Sequence, residues 1–494
     1  MQPLKSPFYQ LDKNQVRWFY AITVLISSVM AYGLIKGYLF SVGLPFALIL
    51  LLMTIFRLDL VVYLAVFVTP FSINLAQTSV GIGVSLPSEP IMFGLFLVFW
   101  LKILSEGGLD KRITNHPVTW MIFFHLFWYS ITTATSSMPM VSFKSTLARF
   151  CYISVFYFMV LYLFSYYKNI KKFLWLYMIP LGIVCLITMA NQAGAGFTEK
   201  NAHIAMVPFY NDHTAYAAVI AFFIPLLIAL IVNPEETKKS RTNAILMFVL
   251  LVTAIVLSYT RAAWVALAGG LACYLVYVFR IKDWMVYTGI ALVVITYALF
   301  HVQFTMYLER NDKTSSTDFS AHVQSIGNIS TDDSNIERLN RWSCALRMFK
   351  DKPLFGYGPG TYMFQYGRYQ KYSERSGIST NFAEGGGSHS EYLGPLAEQG
   401  IFGPITFILI AAVVIQRSAK FLRRCNDKST RGLVKGLLMG LVTYWIHGGL
   451  NYFLDTEKAA VPFWGFIAAL VALEIYYDDH TAQKVKRANG SLTT

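Results

Sequence analysis

An all-α, polytopic membrane protein with about 12–14 transmembrane helices is predicted by three observations. Hydrophobic residues make up 55% of the 494-residue chain and charged residues only 14%, against about a quarter charged in soluble chains. The mean hydropathy is +0.48. Runs such as LPFALILLLMTIF and NAILMFVLLVTAIVLSY recur from end to end. Disorder, coiled coil, collagen and a secreted disulfide scaffold are excluded. Cys151, Cys185, Cys273, Cys344 and Cys425 are scattered, with no CxxC and no histidine at metal-ligand spacing.

At about 20 apolar residues per crossing, the first spans fall near 17–35, 38–56, 58–75, 87–104, 118–134, 145–167 and 172–190. The rest fall near 214–232, 243–259, 262–279, 284–302, 396–415, 433–452 and 460–477. The first apolar run is long and lacks a small-residue cleavage site, so a retained first span is expected rather than a cleaved signal peptide. With the N-terminus inside, basic clusters such as Lys168, Lys171 and Lys172, or Arg417, Lys420, Arg423 and Arg424, fall in cytoplasmic segments. The short outer loops hold few cations, as the positive-inside rule requires. The net charge of +14 is then largely topological, and no nucleic-acid partner is needed. The expected division is helices over 1–302, a large outer loop over 303–395, helices over 396–477 and a cytoplasmic tail over 478–494.

A polar stretch of the length of 303–395 is unusual in a compact domain and points to function. Within it, Ser334-Asn335-Ile336-Glu337 reads as a capping box opening a helix over about 335–350, which Pro353 stops. Ile336, Leu339, Trp342, Ala345, Leu346 and Phe349 share one side at about 100° per residue, predicting an amphipathic helix on the membrane surface or over the bundle. Arg338 lies at the edge of that face, and Arg341 and Arg347 point elsewhere. Arg338 either snorkels along apolar surface or presents an inward guanidinium to an anion.

The segment KPLFGYGPGTY demands tight turns and permits close backbone approach to a ligand. It lacks the GxxxxGK[ST] pattern, so no phosphate loop is predicted. His389 follows three glycines just before the next span and is a candidate base, because an imidazole is neutral near pH 7. Glu391 follows it closely. Asp212 and His213 stand at the outer end of the 214–232 span, with His213 as a rival base or a helix cap. Arg261 occupies a tight outer turn, and an arginine at membrane depth is functional by default unless it snorkels or is paired. Arg149, at an outer span end, is either an interfacial anchor or a further anion ligand.

The ordered set SYTRAAW, ERLNRWSCALRMFKDKPLFGYGPGTY and SHSEYLGPLAEQGIFG resembles the O-antigen ligase and Wzy-type polymerase superfamily, membrane glycosyltransferases with a large periplasmic loop. The matching pieces are Arg261 with Trp264, Arg338-x-x-x-Trp342, Pro353 through Gly360, and His389 with Glu398-x-Gly400-x-x-Gly403. They cover roughly 209–403. Ser390 departs from the pattern, since asparagine is frequent after the histidine.

The resemblance implies a GT-C-like fold in the bacterial inner membrane with its active site on the periplasmic side. It implies glycan transfer from an undecaprenyl diphosphate-linked donor to a hydroxyl of lipid A core or of another glycan. Arg261, Arg338 and Arg149 would bind the diphosphate, because guanidinium forks match phosphate oxygens bidentately. His389 would be the catalytic base, supported by Trp342, His213, Asp212 and Glu391. With no DxD motif in the chain, neither metal nor another cofactor is expected. Expected partners are the lipid-linked donor, the acceptor and membrane lipids. A lipid-linked glycan transporter is the other class considered. Transporters commonly carry two repeated halves, whereas the 303–395 loop has no counterpart in the first half.

Overall fold

The computed structural model describes residues 13–36, 53–54, 57–75, 83–106, 108–279, 333–375, 379, 386–479 and 481. The expected span at 284–302, nearly all of that at 38–56, and the first part of the outer loop lie outside them.

The long helices are α1 (Lys13–Ile35), α2 (Leu58–Val68), α3 (Ser88–Glu106), α4 (Pro117–Ala134) and α5 (Pro139–Leu163). They continue as α6 (Tyr167–Ala195), α7 (His213–Val232), α8 (Lys238–Leu257) and α9 (Arg261–Val278). The C-terminal part holds α10 (Asp333–Asp351), the short α11 (Leu393–Gln399), α12 (Phe402–Arg424), α13 (Lys428–His447) and α14 (Glu457–Ile475). Seven of these, α3, α5, α6, α7, α8, α12 and α14, are long and apolar enough to cross a membrane. Among the described residues the only sheet is one antiparallel pair, Ile73–Asn74 with Ser85–Leu86. The protein is an all-α polytopic membrane protein.

The centre of the bundle is α14. Its sequence is apolar all round, as a helix enclosed by others must be, and 94% of its membrane window is buried. It packs on α5, α6, α7, α12 and α13. Its neighbour in α5 is a π-helical turn, Ser154–Met159, buried throughout.

Small residues set the next contacts. A Cβ on Gly440 would lie 2.5 Å from the Phe222 carbonyl, and one on Gly436 would lie 2.8 Å from Ala229 Cβ. A Cβ on Gly270 would lie 2.6 Å from Thr443 Oγ1. Helix α13 is thus pressed backbone-close between α7 and α9, the close packing that small residues permit in membranes. The antiparallel register brings the end of α13, at His447, beside the start of α7, at His213.

The expected span at 396–415 is corrected. Gly400, with φ +68°, breaks the chain between α11 and α12, because the Ile401 amide must turn to the Pro353 carbonyl (2.9 Å). The glycine turn 356–360 has positive φ at Gly356, Gly358 and Gly360, as its sequence demands. The backbone it approaches is the protein's own. The Gly358 amide donates to the Glu398 carbonyl (2.7 Å), and Ser142 Oγ donates to the Pro359 carbonyl (2.9 Å). The turn thereby sews α11 onto the α4–α5 connection.

Helix α10 forms over Asp333–Asp351, but it buries a different face from the one its apolar periodicity suggests. Glu337, Asn340, Arg341, Cys344, Ala345 and Met348 are buried, whereas Leu339 and Leu346 are 44% and 45% exposed. The buried side packs on Tyr362, Tyr366 and Ala397 in a small core of its own. Polar groups are accepted there because each is paired, and an outward apolar face carries little cost beside lipid. Ser334 falls within the span of the helix. The Glu337 carboxylate accepts from Arg341 Nε (2.6 Å) and from Ser379 Oγ.

Candidate active site

His389 stands by the starts of α7 and α9, the end of α13, the start of α11 and one edge of α10. Its backbone is left-handed, φ +51°, a conformation uncommon for a residue with a Cβ and one that neighbouring structure must hold. Trp342 Nε1 donates to the His389 carbonyl (3.3 Å), and Arg341 donates to the Gly387 carbonyl (3.1 Å). A Cβ on Gly386 would fall 1.5 Å from the Arg341 guanidinium, and one on Gly387 1.8 Å from the Tyr452 ring. The glycines preceding His389 are therefore required by close packing. Ser390 Oγ accepts from the Tyr392 and Leu393 amides (3.2 and 3.3 Å) and so caps α11.

The His389 ring meets the Asn451 side chain, which supplies an amide where the residue after the histidine is a serine. Burial, then the positive charges of Arg341 and Arg338, push its pKa below the ordinary 6.5, against the opposing effects of Asn451 and Asp212. The ring is held neutral, the state a general base needs. Arg338 lies within electrostatic reach of His213, His389 and His447, and so does Asp212. Asp212 caps α7 by accepting from the Ala215 amide (2.7 Å), so the cap is Asp212 and not His213. The His213 ring instead stacks on His203 at 4.0 Å.

Arg261 opens α9 at the rim. Thr260 Oγ1 donates to the His213 carbonyl (3.1 Å), and an Arg261 nitrogen lies 4.0 Å from Glu199 Oε1. Arg149 lies deeper, 8% exposed, paired with Asp455 at 2.6 Å and stacked over Tyr129. The Glu391 carboxylate accepts from Tyr444 OH (2.7 Å) and from the Phe453 and Leu454 amides (2.7 and 2.9 Å). Burial raises its pKa, with Asp455 adding to the effect.

The structure thus gathers Asp212, His213, Arg338, Trp342 and His389, sets Arg261 at the rim, and puts Arg149 and Glu391 behind the connection 448–456. The reading that Arg341 points elsewhere is corrected. It is 5% exposed, beneath the segment that leads to His389 and over the Tyr366 ring, because its partner Glu337 sits one turn earlier on the same face. The 448–456 connection, part of which falls in the expected span 433–452, supplies Asn451, Tyr452 and Asp455. His447 and Asn451, four residues apart at a span end, carried a legible signal, since polar groups at membrane depth are rarely idle.

A family model described as O-antigen ligase matches residues 246–408. No curated protein matches the chain. The matched stretch holds Arg261, Arg338, Trp342, His389 and Glu391. Asp212, Asn451 and Asp455 come to the site from outside it.

Proposed function

We propose that the protein, a polytopic membrane protein whose residues 246–408 match a family model described as O-antigen ligase, transfers a glycan from undecaprenyl diphosphate to a hydroxyl of lipid A core. The reaction runs at the periplasmic face of the bacterial inner membrane. The observation that carries this reading is His389, a neutral, left-handed histidine fixed by Trp342 and Asn451 within the field of Arg338.

His389 accepts the proton of the acceptor hydroxyl as that oxygen bonds to the anomeric carbon. The bond from the anomeric carbon to the diphosphate oxygen breaks, and its electron pair leaves with undecaprenyl diphosphate. Attack opposite the leaving group inverts the anomeric centre. Arg338 and Arg261 stabilise the charge growing on the diphosphate, an effect strongest where water is excluded. Arg149 is the third cation of the proposal, but Asp455 already neutralises it, so direct phosphate contact requires that pair to open. Asp212 fixes the start of α7, His213 lines the cluster, and Glu391 holds the connection that carries Asn451. The proton and charge transfers assigned to these residues call for no metal or other cofactor.

The test is reconstituted protein with one defined lipid-linked donor and three acceptors offered in parallel. Product on lipid A core supports the ligase. Product only on glycan makes the protein a Wzy-type polymerase, and product only on protein makes it an O-oligosaccharyltransferase. Movement of the donor across the bilayer without transfer would sink the glycosyltransferase reading in favour of a transporter.

A further inference from the structure

Beside His389 lies a set of polar atoms that the proposed transfer does not use. His447, at the end of α13, is 1% exposed, and neither of its ring nitrogens has a hydrogen-bond partner among the described residues. Asn451, one turn further along the chain, is also 1% exposed, and its Nδ2 is likewise unpartnered. Buried polar atoms are nearly always satisfied, so a cluster of orphans beside a reacting group marks bonds that something else completes.

We propose that His447 and Asn451 form a subsite for the hydroxyl or acetamido group of a pyranose, which fixes the reacting sugar against His389. This rests on the glycosyl-transfer reading. A neutral imidazole offers one donor and one acceptor, and a carboxamide nitrogen offers two donors. That pattern matches neutral sugar substituents, whereas a diphosphate is better matched by the guanidinium of Arg338. Arg338 and Asp212 both reach His447 electrostatically, and their opposite charges leave the subsite without a strong bias for an ion. The Phe453 ring, 5.9 Å from that of His447, adds an apolar wall of the kind that sugar C–H faces pack against.

The sugar belongs either to the donor or to the acceptor, and kinetics separate the two. His447→Leu and His447→Met are made in the full-length protein, since replacing an unpartnered polar group by an apolar one is close to neutral for folding; Asn451 is left in place because its side chain also meets the His389 ring. Both are expected to keep the wild-type thermal transition and wild-type affinity for undecaprenyl diphosphate lacking a sugar. Each should lose about 10- to 100-fold in kcat/KM. A rise in KM for the donor assigns the subsite to the donor sugar, and a rise in KM for the acceptor assigns it to the acceptor. His447→Gln, which keeps a donor and an acceptor, should recover part of the loss where a merely space-filling role would not.

Wild-type turnover in both apolar His447 variants overturns the subsite and means that the orphan atoms hold ordered water only. The binding arm separates this failure from that of the transfer reading. A wild type that transfers nothing, yet prefers undecaprenyl diphosphate-N-acetylhexosamine to the bare carrier through His447, keeps the subsite and sinks the transfer. A wild type that neither transfers nor discriminates overturns both.

Discussion

His389 is held in its neutral form by position more than by any single partner. A base with lowered proton affinity loses activity only when the pH falls through that lowered pKa, so kcat/KM should stay flat from pH 8 to below the ordinary 6.5 before declining. Arg341→Gln removes one charge that depresses it, and the acidic limb should move upward toward 6.5. A limb unmoved in this variant would argue that another group titrates. His389→Ala should cost about 10²- to 10⁴-fold in turnover while leaving donor binding intact; normal turnover there, with a dead His213→Ala, would reverse the assignment of the base. Arg338→Lys and Arg261→Lys should each lose most activity, because a point charge does not reproduce a bidentate fork. Full activity in both would return these residues to the role of anchors.

At the scale of elements, the site depends on two connections held by backbone bonds. Glu391 accepts three hydrogen bonds from Tyr444, Phe453 and Leu454, and Glu391→Ala leaves two buried amides and a phenol unmatched. That change should destabilise the protein by about 3 kcal/mol or more, and activity should fall with it because Asn451 rides on the same connection. Glu391→Gln keeps an acceptor and should retain most of the stability, as read from thermal transitions in detergent. At Gly400 the backbone is left-handed, and an added Cβ would stand 2.0 Å from the Leu354 carbonyl. Gly400→Ala should therefore lower the transition by the equivalent of about 2 kcal/mol or more; an unchanged transition would mean that the α11–α12 break is not set by this contact.

For the whole molecule, the distribution of basic residues sets an orientation that labelling can check. Cys151, Cys185, Cys344 and Cys425 are buried and only Cys273 is exposed, so a Cys273→Ser background is quiet toward membrane-impermeant reagents. In that background Tyr372→Cys, at a position 90% exposed between α10 and α11, should label from outside, and Lys428→Cys at the start of α13 only from inside. Labelling of both from one side would remove the periplasmic assignment and the lipid-linked donor with it.

The sequence by itself determined the class of the fold, because apolar runs of spanning length admit little but helices in a bilayer. The expectation that His389, Trp342, Arg338 and Arg261 share one side of the membrane likewise rests on order along the chain and on counting spans and cations. Which face of α10 is buried was decided only by tertiary structure. The apolar periodicity points to Leu339 and Leu346, but the packing partners are Tyr362, Tyr366 and the Gly386–Gly387 segment, which select Glu337 and Arg341. The same holds for Asn451 and His447. Their place beside His389 comes from glycine contacts that press α13 against α7 and α9, a register between segments more than 150 residues apart in the chain, and local periodicity carries no record of such a register.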